Sequence, residues 1–238
     1  MNFDSPTPEV AVGYMKQMFQ RLLSVGVEIN TMLDVGAAHG HFSGFFETFY
    51  PDAEITAVEC NERDSYFLSK YPNWETHYMC LGEKKCVKDF YLDKKEMLGG
   101  GSSMYLEDTA MFDDKIVEKK EITTIDDEFE DRVFDFIKID TQGSELDILK
   151  GGERVVSKAK WLLLELSFLE FNKGAPLIDD VLAYTREKGW RMYDTIGPLD
   201  GGHMYQEIRG LDMRTCKLQV DVLLKRCERD ELQLPRSV

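Results

Sequence analysis

No apolar run in this 238-residue chain approaches the roughly 20 consecutive residues that a membrane-spanning helix needs. The first residues, 1–6, also lack the basic and apolar segments that make up a secretory signal. We therefore predict a cytoplasmic protein that does not span a membrane. The length suits one α/β domain with additions better than two full domains.

Cysteine is scarce and irregularly spaced. The five cysteines are odd in number, and none of them forms a Cys-x-x-Cys pair. This spacing argues against a disulfide framework and against a zinc cluster, so we expect reduced, mostly structural thiols. The five are Cys60, Cys80, Cys86, Cys216 and Cys227.

Basic residues are also in the minority. Lys and Arg number 29 against 44 Asp and Glu, which gives a formal net charge of −15, and they form no basic stripe. Because binding to a phosphate backbone depends on basic contacts, this balance predicts that nucleic acid is not a partner. A neutral or cationic small molecule fits the charge better, with acidity that serves only solubility as the alternative.

Apolar strands alternate with helices along most of the chain. Residues 1–30 are predicted as a helical lead-in, residues 31–226 as the main domain and residues 227–238 as a polar tail. The alternation predicts a doubly wound, Rossmann-like α/β fold, with a mostly parallel sheet and helices on both faces. The predicted strands are 31–35, 55–59, 77–81, 88–92, 134–140, 161–166, 191–196 and 218–224, and the helices after the lead-in are 42–49, 63–70, 144–150 and 178–188.

The first strand runs into a loop of small residues, Asp34-Val35-Gly36-Ala37-Ala38-His39-Gly40. In doubly wound sheets, ligands bind beyond the carboxyl ends of the strands, where this loop is placed. Its glycines are spaced Gly-x-x-x-Gly, so the full dinucleotide fingerprint is absent. A carboxylate before the loop would oppose a pyrophosphate. It would favour a ligand that carries an ammonium and a sulfonium, as S-adenosylmethionine does.

The second strand ends in Glu59, an acidic residue placed to accept hydrogen bonds from two ribose hydroxyls. NAD-binding folds share this feature, so Glu59 indicates a nucleoside without choosing the cofactor. The loop and Glu59 together predict an S-adenosylmethionine site, with the nucleotide cofactor of an oxidoreductase as the alternative. The predicted cofactor-binding residues are Asp34, Gly36, Ala37, His39, Gly40, Glu59, Cys60, Asn61, Leu81 and Gly82.

A longer motif covers residues 134–152 and contains Lys-Ile-Asp-Thr-Gln-Gly-Ser-Glu followed by Leu-Lys-Gly-Gly. It resembles the FkbM family of methyltransferases, which typically reads Lys-Ile-Asp-Val-Glu-Gly-x-Glu here and then Leu-x-Gly. The segments Asp34–Ala37, Ile125–Asp127 and Leu163–Glu165 resemble other marks of the family. The resemblance covers roughly residues 31–224. It implies a class I methyltransferase fold and O-methylation, by S-adenosyl-L-methionine, of a hydroxyl on a sugar, glycan or secondary metabolite.

Two positions depart from the family pattern. Ala38 stands where the family usually has Asn, so one polar contact near the cofactor would be missing unless His39 or His41 replaces it. Gln142 replaces the usual Glu, which keeps hydrogen-bonding ability but loses a charge. These departures keep open a catalytically silent domain that only binds the cofactor or a partner.

Methyl transfer needs an acceptor oxygen held behind the sulfonium methyl, and a group that takes the proton of the hydroxyl. Asp140, at the end of the central strand, is predicted as the base or as the group that orients the acceptor, with capping of the next helix as its alternative role. Glu165 ends an apolar strand, and His203 lies in a late glycine loop; both are further catalytic candidates.

The remaining predicted contacts concern the acceptor. Ser102, Ser103, Gln142 and Glu145 are predicted to bind substrate, although dipole stabilisation of a helix would explain Glu145 equally well. Ser144 and Asp147 are predicted to cap that helix. The neighbouring carboxylates show no metal-ligand pattern, so no metal is predicted. The sequence identifies neither the acceptor nor the oligomeric state.

Overall fold

The computed structural model describes residues 8–93, 101–109, 112–200, 207–208, 211–212 and 217–227. Twelve strands occur within these residues. They are β1 (Thr31–Val35), β2 (Glu54–Glu59), β3 (Glu75–Tyr78), β4 (Cys80–Leu81), β5 (Cys86–Asp93), β6 (Lys115–Thr123), β7 (Phe136–Ile139), β8 (Trp161–Ser167), β9 (Trp190–Asp200), β10 (Glu207–Ile208), β11 (Leu211–Asp212) and β12 (Lys217–Arg226).

Seven strands form the central sheet, in the order β3-β2-β1-β7-β8-β12-β9. The first five strands in this order, β3, β2, β1, β7 and β8, run parallel to one another. Strand β12 is antiparallel to both of its neighbours, β8 and β9. The sheet winds outward from β1 in both directions, which confirms the predicted doubly wound fold. The topological switch point lies between β1 and β7.

Helices cover both faces of this sheet. They are α1 (Pro8–Ser24), α2 (His41–Glu47), α3 (Ser65–Leu68), α4 (Ile125–Glu128), α5 (Glu145–Gly151), α6 (Glu153–Val156) and α7 (Ile178–Glu187). Side chains of β7 alternate between two apolar cores, because Phe136 packs with α1 and α2 while Ile137 and Ile139 pack with α5 and α6. Helix α1 lies within the segment predicted as a lead-in, and its Phe19 is fully buried against the sheet.

A second sheet, in the order β4-β6-β5, follows β3 and accounts for the main differences from the prediction. The predicted strand 77–81 is two strands, because the chain leaves the central sheet after Tyr78 and enters the second sheet at Cys80. Strand β6 was not predicted. Five of its nine residues are charged, so its sequence shows little apolar periodicity.

Candidate functional site

A cavity opens at the carboxyl edge of the central sheet, beside the ends of β1, β2 and β7. Its empty volume of about 760 Å³ includes space that is open to solvent. Its position is the one that the sheet topology predicts for a ligand. Seven of the predicted site residues line it: Gly36, Glu59, Cys60, Leu81, Ser102, Asp140 and Gln142.

Glu59 ends β2 with its carboxylate in the cavity wall. The backbone N–H of Asn61 donates to Glu59 Oε1 at 2.7 Å, and the backbone N–H of Ala38 donates to Oε2 at 2.8 Å. Burial raises the pKa of Glu59 to about 7, against the lowering effect of these two hydrogen bonds. Each oxygen keeps acceptor capacity, so the ionised carboxylate can take two further hydrogen bonds from a ligand.

The glycines of the first loop serve close packing within the protein. Gly36 has φ +81°, and a Cβ at this position would overlap the carbonyl oxygen of Asp140 at the end of β7. Gly40 has φ +78°, and a Cβ there would come within 2.8 Å of the Tyr71 ring. Gly40 does not line the cavity, so its need for glycine comes from the Tyr71 contact and the left-handed backbone.

Ala38 also has a left-handed backbone, with φ +45°. Residues other than glycine rarely adopt this conformation, and asparagine is among the few that tolerate it. The usual asparagine of the family would therefore suit the backbone at this position. Ala38 keeps the N–H contact to Glu59 at the cost of local strain.

Asp34 is fully buried and does not line the cavity. Ser43 Oγ donates to its Oδ2 at 2.6 Å, and Lys138 Nζ donates to its Oδ1 at 3.3 Å. Burial raises the pKa of Asp34, and these two partners oppose the rise. We expected this carboxylate to face the cofactor. Instead, its charge is paired inside the sheet, because Lys138 is its register partner on β7.

Lys138 forms ion pairs with two carboxylates, that of Asp34 inside the sheet and that of Asp140 at the cavity edge. Its Nζ lies 3.1 Å from Asp140 Oδ2. Desolvation favours the neutral amine, but the carboxylates of Asp140 and Asp34 outweigh it and raise the pKa of Lys138, which is an ammonium. Burial acts against the ionised form of Asp140 as well, yet Lys138 and then hydrogen bonds lower the pKa of Asp140. Asp140 is therefore a stable carboxylate and a weak base.

Glu165 lies against Asp140 and is hydrogen-bonded to it. Burial, followed by the negative charges of Asp140 and Asp221, raises the pKa of Glu165 well above its usual range. Glu165 therefore holds the proton that the two carboxyl groups share. Gln142 Nε2 donates to Glu165 Oε2 at 2.6 Å, and Gln219 Nε2 donates to the same oxygen at 2.9 Å.

The departure at Gln142 fits these surroundings. Its Nε2 also approaches Asp140 Oδ1 at 3.4 Å, so the amide is placed to donate to both carboxyl groups. A glutamate at this position would remove the donor and add a third carboxyl group beside Asp140 and Glu165. The amide therefore stabilises a pair of acids that a further acid would destabilise.

Glu145 binds the loop that precedes its helix. Its Oε1 accepts from the backbone N–H of Thr141 at 2.8 Å, and its Oε2 accepts from that of Gly143 at 3.0 Å. Burial raises the pKa of Glu145 to about 7. The side chain is buried and does not line the cavity. Glu145 was predicted to bind substrate. In the structure, its carboxylate instead holds the Thr141–Gly143 turn.

Ser144 precedes α5, but its side chain makes no capping hydrogen bond, so the predicted capping by Ser144 and Asp147 is wrong. Asp147 instead accepts a hydrogen bond from Lys88 Nζ at 2.8 Å. Ser144 Oγ is buried, and it has no hydrogen-bond partner within the described residues. Ser144 also lines the cavity, so this hydroxyl without a partner in the described part of the chain lies next to the candidate site.

The segment that contains Ser102 and Ser103 packs at the cavity beside Gln142. Ser103 Oγ donates to the backbone carbonyl of Gln142 at 2.7 Å and accepts from the backbone N–H of Tyr105 at 2.9 Å. Ser103 is thus used within the protein, whereas Ser102 lines the cavity. His203 lies outside the described residues.

The other predicted cofactor residues lie behind the cavity wall: Ala37, His39, Asn61 and Gly82 do not line it. The His39 ring stacks on Phe67 with the ring centroids 4.0 Å apart, and its Nε2 lies 3.3 Å from Asp64 Oδ1. Asn61 Nδ2 donates to Asp64 Oδ2 at 3.1 Å. These contacts shape the backbone turn that presents Glu59.

Cys60 and Cys80 form a disulfide, so the expectation of reduced thiols is wrong for this pair. The two residues are 20 positions apart and flank β3, with their Cα atoms 4.5 Å apart. Sequence spacing could not reveal the pair, because the chain returns to the end of β2 only through the folded sheet. Cys86 and Cys227 are free.

Three important residues of the site were missed by sequence reasoning: Lys138, Gln219 and Asp221. Each is flanked on both sides by apolar residues of a buried strand, where a polar side chain needs a partner inside the protein. That pattern was the available signal. Burial and the charge of Asp140 raise the pKa of Asp221 to about 7.

Within the part of the chain that the structure describes, every helix is too short or too polar to span a bilayer. The same part of the chain contains no group of three or more His, Cys, Asp or Glu side chains arranged to hold a metal ion.

The fold is similar to those of solved methyltransferases. An S-adenosylmethionine-dependent methyltransferase from Clostridium acetobutylicum is 10% identical, with a TM-score of 0.51 and 92% of each chain covered. Precorrin-6y C5,15-methyltransferase from Geobacter metallireducens is 14% identical, with a TM-score of 0.44, 88% of this chain covered and 87% of that chain. A putative RNA methyltransferase from Pyrococcus horikoshii is 10% identical, with a TM-score of 0.48, 94% of this chain covered and 88% of that chain.

The first of these likenesses supports a class I, Rossmann-like methyltransferase fold. A comparison with curated protein sequences found no match. The family model of the methyltransferase FkbM domain matches residues 34–192, which is more than half of the chain and includes every strand end at the cavity. The chain belongs to the FkbM methyltransferase family.

Proposed function

We propose that this protein is an S-adenosylmethionine-dependent O-methyltransferase whose cofactor binds in the cavity with its ribose on Glu59. The observation that carries the proposal is the position and hydrogen bonding of the Glu59 carboxylate. Two backbone N–H groups fix its oxygens, and the residue faces a cavity at the switch point of the sheet. This arrangement suits a vicinal pair of ribose hydroxyls.

The charge at the cavity edge supports a cationic cofactor. Asp140 is ionised and lines the cavity, while its partner Lys138 is buried beneath it. When bound, S-adenosylmethionine supplies the sulfonium methyl group that is transferred. The apolar side chains of Leu81, Phe90 and Ile148 line the same cavity and would cover the adenine, and Ser144 Oγ would bind one of its polar atoms.

Asp140 is proposed to orient the acceptor hydroxyl rather than to remove its proton. Its carboxylate accepts hydrogen bonds well, but the pairing with Lys138 makes it a weak base. Glu165 supports this role because, as the protonated partner, it keeps the charge on Asp140. The proton of the hydroxyl then leaves late, after the oxygen has lost electron density to the new bond, and passes to water in the solvent-open cavity.

The acceptor is proposed to be a hydroxyl of a sugar, glycan or secondary metabolite. The resemblance to the FkbM family supports O-methylation, and the net charge of −15 supports a neutral or cationic acceptor. The test is a screen of hydroxylated sugars, nucleotide sugars, glycolipids and secondary metabolites with methyl-labelled cofactor. Label in a hydroxyl-bearing compound is expected. Cofactor binding without transfer to any class would favour the catalytically silent alternative, and transfer to RNA alone would replace the proposed acceptor class.

A further inference from the structure

We propose that the Cys60–Cys80 disulfide is a redox-sensitive part of the cofactor cavity, such that its reduction by a dithiol weakens cofactor binding. The inference rests on the proposed function, because it concerns the same cavity. It stands on the position of the two cysteines relative to Glu59.

Cys60 lies between Glu59, which is proposed to bind the ribose, and Asn61, whose backbone N–H holds the Glu59 carboxylate. This N–H donates to Glu59 Oε1 at 2.7 Å. The disulfide ties this turn to Cys80, the first residue of β4. The disulfide adds a covalent connection to the other contacts that hold this turn, which include the hydrogen bond from Asn61 Nδ2 to Asp64 Oδ2 and that from the backbone N–H of Met79 to the carbonyl of Glu59.

Cys60 and Cys80 also line a second cleft on the protein surface. Cys60 and Cys80 line the cofactor cavity on one side and a wider outer cleft, between β3 and the second sheet, on the other. Cys60 is half-buried and Cys80 is buried. A small dithiol could therefore reach the Cys60 sulfur from the outer cleft, without competing for the inner cavity.

The reduction balances with a dithiol as the electron donor. One of its thiolates attacks the Cys60 sulfur, which forms a mixed disulfide and releases Cys80 as a thiolate; its second thiol then displaces Cys60 and closes a cyclic disulfide. Two electrons pass to the protein, and two protons end on the thiols. The sulfurs must separate from a bonded distance of about 2.05 Å to a non-bonded contact of about 3.5 Å or more, which displaces the cavity wall.

Linkage makes the effect reciprocal. If the oxidised protein binds the cofactor about tenfold more tightly than the reduced protein, bound cofactor makes the disulfide about tenfold harder to reduce. For a two-electron couple, tenfold corresponds to about 30 mV. A redox titration with and without S-adenosylhomocysteine would detect a shift of the midpoint to more negative potential.

The direct experiment is calorimetry of S-adenosylhomocysteine with the full chain, oxidised and after dithiothreitol, with thiols counted by alkylation and mass spectrometry. We expect the Kd to rise about tenfold on reduction. Cys86→Ser is the matched control, since Cys86 is a free cysteine of the outer cleft and pairs with the same β6 residue, Ile122, as Cys80 does. It should keep the response. The double variant Cys60→Ser/Cys80→Ser should bind like reduced protein and ignore dithiothreitol.

Equal affinity of the two wild-type states, with the change in thiol count verified, would overturn this proposal alone. A dithiothreitol response that persists in the double variant would also overturn it. Should the double variant fail to fold, the wild-type comparison decides. Absence of binding in both redox states would overturn this proposal and the proposed cofactor site together.

Discussion

The Lys138 ammonium lies 3.1 Å from Asp140 Oδ2, at the point where the buried interior of the sheet meets the cavity. Lys138 also pairs with Asp34, so a single cation serves two carboxylates. The side chain is 7% exposed. The pairing favours the ionised form of Asp140, and it makes the stability of the sheet depend on Lys138.

The first prediction follows from that dependence. Lys138→Met should lower the free energy of unfolding by about 3–5 kcal/mol, because it leaves buried carboxylates without their cation. Urea denaturation measures the change. Lys119→Met is the control, since the Lys119–Asp89 ion pair is exposed and should contribute less than about 1 kcal/mol. Equal small losses in both variants would show that Asp34 and Asp140 take up protons instead.

Much of this site could be predicted from sequence, and the reason is topological. Glu59 and Asp140 each stand at the end of an apolar strand, so a parallel sheet brings them to one edge whatever their contacts are. Asp34 was predicted at the same edge, but its side chain turns inward to Lys138. Strand position is set by local pattern, whereas side-chain direction depends on partners that are distant in sequence.

The parts that could not be predicted are the long-range pairs. Gln219 reaches Glu165 across 54 positions, and Cys60 reaches Cys80 around an intervening strand. Strand β6 escaped prediction because five of its nine residues are charged. In each case the deciding interaction lies between elements, and no periodicity within one element encodes it.

The second prediction concerns the left-handed residue of the cofactor loop. Ala38→Gly should raise the free energy of unfolding by about 0.5–1 kcal/mol, since it removes a Cβ from an αL backbone and keeps the N–H that binds Glu59. Thermal unfolding measures it. Ala37→Gly, at a residue without positive φ, should instead lower stability. A loss in both variants would rule out strain at Ala38.

The third prediction is a pH dependence of cofactor affinity. The pKa of Glu59 is about 7, above its ordinary value, and the ribose hydroxyls need the ionised form. Affinity should therefore be close to its maximum at about pH 8 and fall about tenfold between about pH 8 and about pH 6. Calorimetry with S-adenosylhomocysteine at the two pH values tests this. Glu59→Gln should bind weakly and without that pH dependence, and a retained dependence would assign it to another group.

The fourth prediction separates a ligand contact from a structural one. Ser144→Ala should leave the stability of the free protein unchanged or higher, because Ser144 Oγ has no partner to lose within the described residues. Its affinity for S-adenosylhomocysteine should fall about fivefold, the value of one hydrogen bond. Ser43→Ala should lower stability, since Ser43 Oγ donates to buried Asp34. Unchanged affinity in Ser144→Ala would remove Ser144 from the site.

The fifth prediction concerns Asp140 once an acceptor is known. Asp140→Asn should fold and should raise KM for the acceptor, with kcat falling less than about tenfold, if Asp140 orients the hydroxyl. A loss of about 100-fold in kcat at unchanged KM would instead identify Asp140 as the base. Steady-state kinetics with saturating cofactor distinguishes the two results.

The most direct test of the central claim is calorimetric titration of the wild-type chain and Glu59→Ala with S-adenosylhomocysteine and with NAD. We predict that S-adenosylhomocysteine binds the wild type, that Glu59→Ala weakens it by about 1–3 kcal/mol through lost charged hydrogen bonds, and that NAD does not bind. Binding of NAD, or equal affinity of the wild type and Glu59→Ala for S-adenosylhomocysteine, would contradict the proposed site.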